Sequence, residues 1–359
     1  MELHVLTGYR SLVGGKHLAV HDVAEVLRFE GYGFKESYDS LFWTSHFNCT
    51  ADRISQTNYV DNSTAEFEGT VHSEWSVDPG AVRFNLTTTF LQGSGGEVQR
   101  LCYSFRNEPP MLYGSVWLKD AKLDTVKAVA GDADVSVLNY QKKLRLIGHT
   151  PRTYFADQDL EDSLDAQSLN DTVRWALGNE SCDENLAHFV VGETRWDGVT
   201  AEPQTHNTTV LNGTTTFTFT DPSYAGKTMT LCYKHGDEPY HMYTDFTTTV
   251  RHVDAINSTY ASTDHVVAAH AKTFLFTGDG LAVADRARFL FNGTTDCTDE
   301  GSVALLVDED FEDTDTMKIV AHGVGRDELA ASFEFEPEMS GESVGLCYRF
   351  GNEPYMYYN

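Results

Sequence analysis

Apolar and polar residues alternate with period two through much of the chain. Val82-Arg-Phe84-Asn-Leu86, Thr215-Thr-Phe217-Thr-Phe219 and Ala331-Ser-Phe333-Glu-Phe335 are three such runs, each followed by a glycine corner at Gly93 to Gly96, Gly226 and Gly341. Alternation of this kind, bounded by Gly and Pro, predicts half-buried strands. Long helical periodicity is absent; Asp22 to Phe29 could form a short helix, but its counterparts elsewhere in the chain read as strand.

The strands recur in a fixed order because the sequence repeats. Leu101-Cys102-Tyr103 leads to Asn107-Glu108-Pro109, Leu231-Cys232-Tyr233 to Asp237-Glu238-Pro239, and Leu346-Cys347-Tyr348 to Asn352-Glu353-Pro354. An aromatic run follows each: Met111-Leu112-Tyr113, His241-Met242-Tyr243 and Tyr355-Met356-Tyr357-Tyr358. Upstream, Leu27 to Phe34, Leu144 to Gly148 and Thr273 to Leu281 each run a strand into glycine. Each is followed by an apolar stretch, at Asp39 to Trp43, Asp171 to Trp175 and Asp285 to Phe289, and then by a cysteine. From glycine to cysteine is 18, 34 and 19 residues, so the second unit carries an insertion of about 15, Phe155 to Leu169. Repetition on this scale decides the architecture.

The six cysteines follow the repeat, one early and one late in each unit. Of fifteen connectivities, this selects Cys49–Cys102, Cys182–Cys232 and Cys297–Cys347, with separations of 53, 50 and 50 residues. Structural disulfides imply an oxidising compartment. Nine Asn-x-Ser/Thr sequons agree: Asn48, Asn62, Asn85, Asn170, Asn179, Asn207, Asn212, Asn257 and Asn292. That excess favours a eukaryotic secreted glycoprotein with surface N-linked glycans. Met1-Glu-Leu-His-Val-Leu is no signal peptide. Met1 is therefore expected not to be the natural start, the chain being a processed product or part of a longer polypeptide.

Each unit of short strands, with one early and one late cysteine, has the pattern of an immunoglobulin-like sandwich, two sheets pinned across the core by a disulfide. The Phe-x-Gly-x-Gly-Leu opening at Phe276 to Leu281, followed by Asp285-x-x-x-Phe289, resembles the start of IPT/TIG-type immunoglobulin-like domains. The tandem arrangement is similar to repeat proteins of eukaryotic extracellular filaments, such as flagellar hairs and cell-surface fibres. The expected fold is all-β, three tandem sandwiches each with one intradomain disulfide. The expected divisions are residues 1–15 as an N-terminal linker or donor strand, then domains at 16–127, 128–254 and 255–359, the last with its final strand short or missing. An antibody-type tryptophan in a strand after the first cysteine is not evident, and the tyrosine follows the late cysteine instead of preceding it.

With 54 acidic against 26 basic residues the net charge is −28. That excludes a nucleic-acid binder, which needs a basic patch. No stretch reaches the length of a membrane span. The chain shows no zinc spacing, nucleophile elbow, P-loop or dinucleotide fingerprint, so neither catalysis nor a cofactor is expected. Asp308 to Asp315 and Asp157 to Asp162 are acidic enough for Ca²⁺. Lacking the glycine and glutamate of a calcium loop, they read better as solvated loops. Glu108, Glu238 and Glu353 could form a repeated ligand site, but a turn in which the acid pairs locally is the simpler reading.

The expected function is structural: Leu3, Val5 and Leu6 lead a strand, reaching to about Val13, that completes the third domain of a neighbour and links copies head to tail. An adhesion or receptor ectodomain is the alternative.

Overall fold

The structure is a computed structural model. It describes residues 5–11, 18–20, 23–32, 40–44, 47–49, 81–89, 98–105, 108–149, 172–178, 180–182, 190–199, 211–235, 238–258, 260, 262–263, 265–282, 284–290, 295–298, 327–335, 337, 340–341 and 343–358. Leu3, both acidic stretches and Asn62, Asn170, Asn179, Asn207 and Asn292 lie outside them.

Nineteen strands make up the described fold, with a 3₁₀ turn at Pro222–Tyr224. Domain 1 contains β1 (Val5–Ser11), β2 (Leu18–Val20), β3 (Ala24–Tyr32), β4 (Ser40–Thr44), β5 (Ala81–Thr89), β6 (Val98–Ser104) and the first part of β7 (Met111–Ala128). β1-β3-β5 form one sheet, while β4-β6-β7 form the other, with β2 joining β7 in parallel. Domain 2 takes the rest of β7, then β8 (Val135–Val137), β9 (Lys142–His149), β10 (Thr172–Leu177), β11 (Val190–Val199), β12 (Leu211–Phe217), β13 (Thr228–Lys234) and the start of β14 (His241–Ser258). Its sheets run β7-β9-β12-β11 and β10-β13-β14 with β8 parallel to β14. β11 crosses between them, pairing with β10 at one end and β12 at the other. Domain 3 takes the rest of β14, β15 (Ala271–Asp279), β16 (Arg286–Leu290), β17 (Asp327–Glu334), β18 (Gly345–Arg349) and β19 (Met356–Tyr358), as β14-β15-β17 and β16-β18-β19. This strand order, three times over, is that of tandem immunoglobulin-like sandwiches.

Period-two burial builds the cores. In β13, Met229, Leu231 and Tyr233 face inward with Val173 and Trp175 of β10, Leu144 and Leu146 of β9, and Phe217 of β12. In domain 3, Phe274, Phe276, Phe289, Phe333 and Tyr348 form the matching cluster. Trp43, Trp175 and Phe289 occupy one register, opposite Leu101, Leu231 and Leu346. A core tryptophan is therefore present in two domains, but ahead of the first cysteine and not after it.

The disulfides Cys49–Cys102, Cys182–Cys232 and Cys297–Cys347 each lie within one domain. They do not pin the two sheets together across the core, as expected above. β10 and β13 are neighbours in one sheet, Cys182 follows β10, and Cys232 lies between the inward-facing Leu231 and Tyr233. Cys232 therefore points to the outer face, where it packs with Cys182, Ala176, Tyr240 and Met242. Cys297, Cys347, Leu290, Tyr355 and Tyr357 repeat this cluster in domain 3.

No linker separates the domains. The divisions expected near residues 127 and 254 fall inside β7 and β14, each 18 residues long, which pass from the second sheet of one domain into the first sheet of the next. Each has a bulge just past the crossing, at Leu123/Thr125 and Val253/Ala255. There the partner strand carries Gly148 or Gly278. A Cβ on Gly278 would lie 2.0 Å from the His252 carbonyl oxygen, and one on Gly148 2.3 Å from that of Lys122. The recurring glycine marks close backbone approach inside a strand.

β1 has the same bulge, at Leu6/Gly8, and the same glycine partner, Leu6 pairing with Gly31. It is the counterpart of the second half of β7. This corrects the expected role of Val5 and Leu6: both are already committed to the first sheet of their own domain, paired with Tyr32 and Gly31.

Candidate functional site: the domain 2–domain 3 junction and the open edge of domain 3

Strand β8 and the residue that follows it serve two different cores. Leu138, just beyond it, belongs to the domain 2 cluster, whereas Val135 and Val137 belong to the domain 3 cluster with Leu281, Phe350 and Met356. Ser136, between the two valines, meets Thr248 of β14 at 2.8 Å. Domains 2 and 3 thus share buried apolar surface as well as a strand.

A polar latch closes the same junction. Asp285, fully buried, accepts hydrogen bonds from the backbone N–H groups of Ala282 and Gly351 and from the Tyr348 hydroxyl, each at 2.9 Å. It also faces Arg251 of β14 at 3.7 Å. These bonds fix the turn that follows β18. From that turn Glu353 reaches back into domain 2. Lys142 Nζ donates to both its carboxylate oxygens, at 2.6 and 2.7 Å, and to the Ala130 carbonyl at 3.2 Å. The Asp132 N–H donates to Glu353 Oε1 at 2.8 Å, and Asn352 donates its amide to Asp132 at 3.2 Å. Gly131 makes room: a Cβ there would sit 2.2 Å from Glu353 Oε1. Burial pushes the carboxyls of Asp285 and Glu353 above the usual range, despite their partners. The Tyr140 hydroxyl of domain 2 also donates to the Tyr357 carbonyl of domain 3.

At Glu353 the Asn-Glu-Pro element is not a locally paired turn: its acid grips the preceding domain. Glu353 is 3% exposed and Glu238 1%, while Glu108, in the first of the three domains, is exposed. The partner lies 211 residues away, and nothing local in the sequence announces it.

In domain 3 the corresponding pairing is shorter among the described residues. β6 and β13 each pair with the following long strand at six positions, three of them beyond a bulge. β18 pairs with β19 at three, Tyr348 to Leu346. Beside Gly345 lies a groove of about 950 Å³, with Val266, Ala268, Phe274, Phe335, Val344 and Leu346 in its lining. In domain 2 the matching position is filled by β14, whose Val250 is wholly buried.

The outer faces carry a second recurrent feature. The Arg174 guanidinium stacks 4.0 Å over the Tyr240 ring and Arg288 lies 4.0 Å over Tyr355, both beside the disulfide. Of the sequon asparagines, Asn48 and Asn257 are exposed, and Asn85 and Asn212 lie in β5 and β12. Among the described residues no group of three or more His, Cys, Asp or Glu could hold a metal ion, and no helix is long and apolar enough to cross a membrane.

No protein-family model and no curated protein matches the chain. Solved structures give whole-chain alignments at low similarity. An ICAM-5 D1–D4 ectodomain fragment aligns over 98% of this chain and 75% of its own, at 10% identity and a TM-score of 0.21. The full ectodomain (Ig1–Ig3) of mouse nectin-like molecule 4 aligns over 94% and 93%, at 9% identity and 0.22. A marsupial T cell receptor aligns over 98% and 100%, at 9% identity and 0.24. These scores carry no functional inference, and the immunoglobulin-like assignment stands on the strand order.

Proposed function

We propose that the chain is a structural subunit of an extracellular glycoprotein filament, assembled head to tail by strand addition. The observation that carries this is the open groove of domain 3. It lies where domains 1 and 2 are completed by the first half of a strand whose second half begins the next domain. Aligned through Gly31, Gly148 and Gly278, Met1–His4 fall on the registers of Leu118–Ala121 and Thr248–Arg251. Met1–His4 of one copy would extend β1 backward into domain 3 of its neighbour, with Leu3 on the register of the buried Val250. The donor is thus narrower than Leu3 to Val13, because Val5–Ser11 belongs to its own domain. The three disulfides suit an oxidising, extracellular setting, and the role is mechanical and not catalytic.

The test is deletion of Met1–His4, which spares β1. Loss of filaments in negative-stain images is expected; filaments of unchanged length would overturn the reading. The groove also suits an adhesion or receptor ectodomain that captures an extended peptide. Such a protein would be monodisperse with its groove filled by another chain's segment.

A further inference from the structure

The junction between domains 2 and 3 has two halves, and the chain carries an uncovered copy of each. One half is residues 135–142. Residues 265–272 repeat it thirteen tens along: Ala269 has the positive φ of Asn139, and its N–H bonds the Phe335 carbonyl at 2.7 Å as that of Asn139 bonds Phe219. Val267 then matches Val137, and Lys272 matches Lys142. Yet Val137 is 2% exposed and Val267 66%. Lys142 grips Glu353, whereas Lys272 donates to the backbone carbonyls of Ser262 and His265. The other half is the Glu-Pro turn and its aromatic run. Met356 is 8% exposed, in the same cluster as Val137, while its counterpart Met111 is 52% exposed. Glu353 is buried and its counterpart Glu108 is exposed.

We infer that domain 3 of one copy receives domain 1 of a second copy by repeating the domain 2–domain 3 junction, with Met111 covering Val267 and Glu108 exchanging with the loop carbonyls for Lys272. Charge and apolar exposure agree: the receiving end offers a cation and an exposed valine, the entering end an anion and an exposed methionine. A head-to-tail contact of this kind does not close on itself. This inference deepens the head-to-tail reading and rests on it; the receiving segment borders the strand groove, whose lining includes Val266 and Ala268.

The experiment uses the full chain as an equal mixture of ¹⁴N- and ¹⁵N-labelled protein at 0.15 M salt or above (about the ionic strength that screens like-charged surfaces). A zero-length carbodiimide should join Lys272 to Glu108 in a peptide pair carrying both isotopes. Lys272→Glu and Glu108→Lys should each weaken self-association by more than about tenfold, and the two together should restore it to within about threefold. Absence of the mixed-isotope pair, or a double variant as weak as the singles, overturns the inference. Glu108 is exposed, so Glu108→Lys folds whatever happens at Lys272. Repeating the cross-link on the chain lacking Met1–His4 separates the two ideas. A persisting Lys272–Glu108 pair in filaments of unchanged length upholds the docked face while sinking strand insertion. Filaments that need Met1–His4 but ignore both charge reversals do the reverse.

Discussion

Lys142 and Glu353 meet at 2.6 Å, both almost wholly buried, although 211 residues separate them. Glu353→Ala would leave the Lys142 ammonium in the junction without its counter-charge. The expected cost is about 3–5 kcal/mol. Calorimetry should show the transitions of domains 2 and 3 drawing apart. Glu108→Ala, the same change at an exposed copy, should cost less than about 0.5 kcal/mol in the monomer.

Acid should act on domains 2 and 3 in opposite senses. His235 is buried, its Nε2 2.9 Å from the Tyr243 hydroxyl; burial and the neighbouring His241 push it down to about 3. The unfolded chain then binds the extra proton first, so this group's contribution is present above about pH 6.5 and is lost as pH falls below it, by up to about 1.4 kcal/mol per pH unit. His235→Phe should abolish that loss. Phe105 and Phe350 hold the same register in the other two domains. Asp285 and Glu353 are raised, so the folded state binds their protons more tightly. Their contribution grows as pH falls through the raised values and levels off in the ordinary carboxylate range. Melting followed domain by domain against pH measures both slopes.

Gly278→Ala places a methyl against the His252 carbonyl at the bulge of β14. With backbone on both sides the strain has no side chain to relax into. A loss of about 2 kcal/mol or more is expected by denaturant titration. Gly178→Ala serves as the control for conformation alone, since its φ is +57° but open space surrounds it.

Removing Cys182 and Cys232 together should cost about 2–4 kcal/mol and leave the inward ring contacts in place. Trp175 lies 4.9 Å from Phe217 on the face opposite the bridge. Near-ultraviolet dichroism of the double Cys→Ala variant should therefore keep its native signature below the lowered melting temperature.

Repeat number, strand content and one sulfur bridge per domain could be read from the sequence, because the Leu-Cys-Tyr phrase returns with its upstream partner each time. The face of the bridge could have been read as well. In Leu231-Cys232-Tyr233 the flanking residues are both large and apolar, and period two then sends the cysteine outward. Trp43 and Trp175 were visible too, but they precede the first cysteine, where an antibody-like template does not look for them. The Glu353 latch was not legible: a turn glutamate before proline has a local explanation, and its lysine belongs to a different domain. Nor could alternation show that Met111–Ala128 is one strand serving two domains, because Val116, Trp117 and Leu118 are buried in a row and bulges flank the point where its sheet membership changes.

Because β7 and β14 each run through a boundary as one strand, no loop tether joins the sandwiches at either crossing. Bending the array at a boundary would mean shearing rows of main-chain hydrogen bonds on either side of it, not rotating a few loose dihedrals. A protease that cuts exposed interdomain tethers would find none at either crossing.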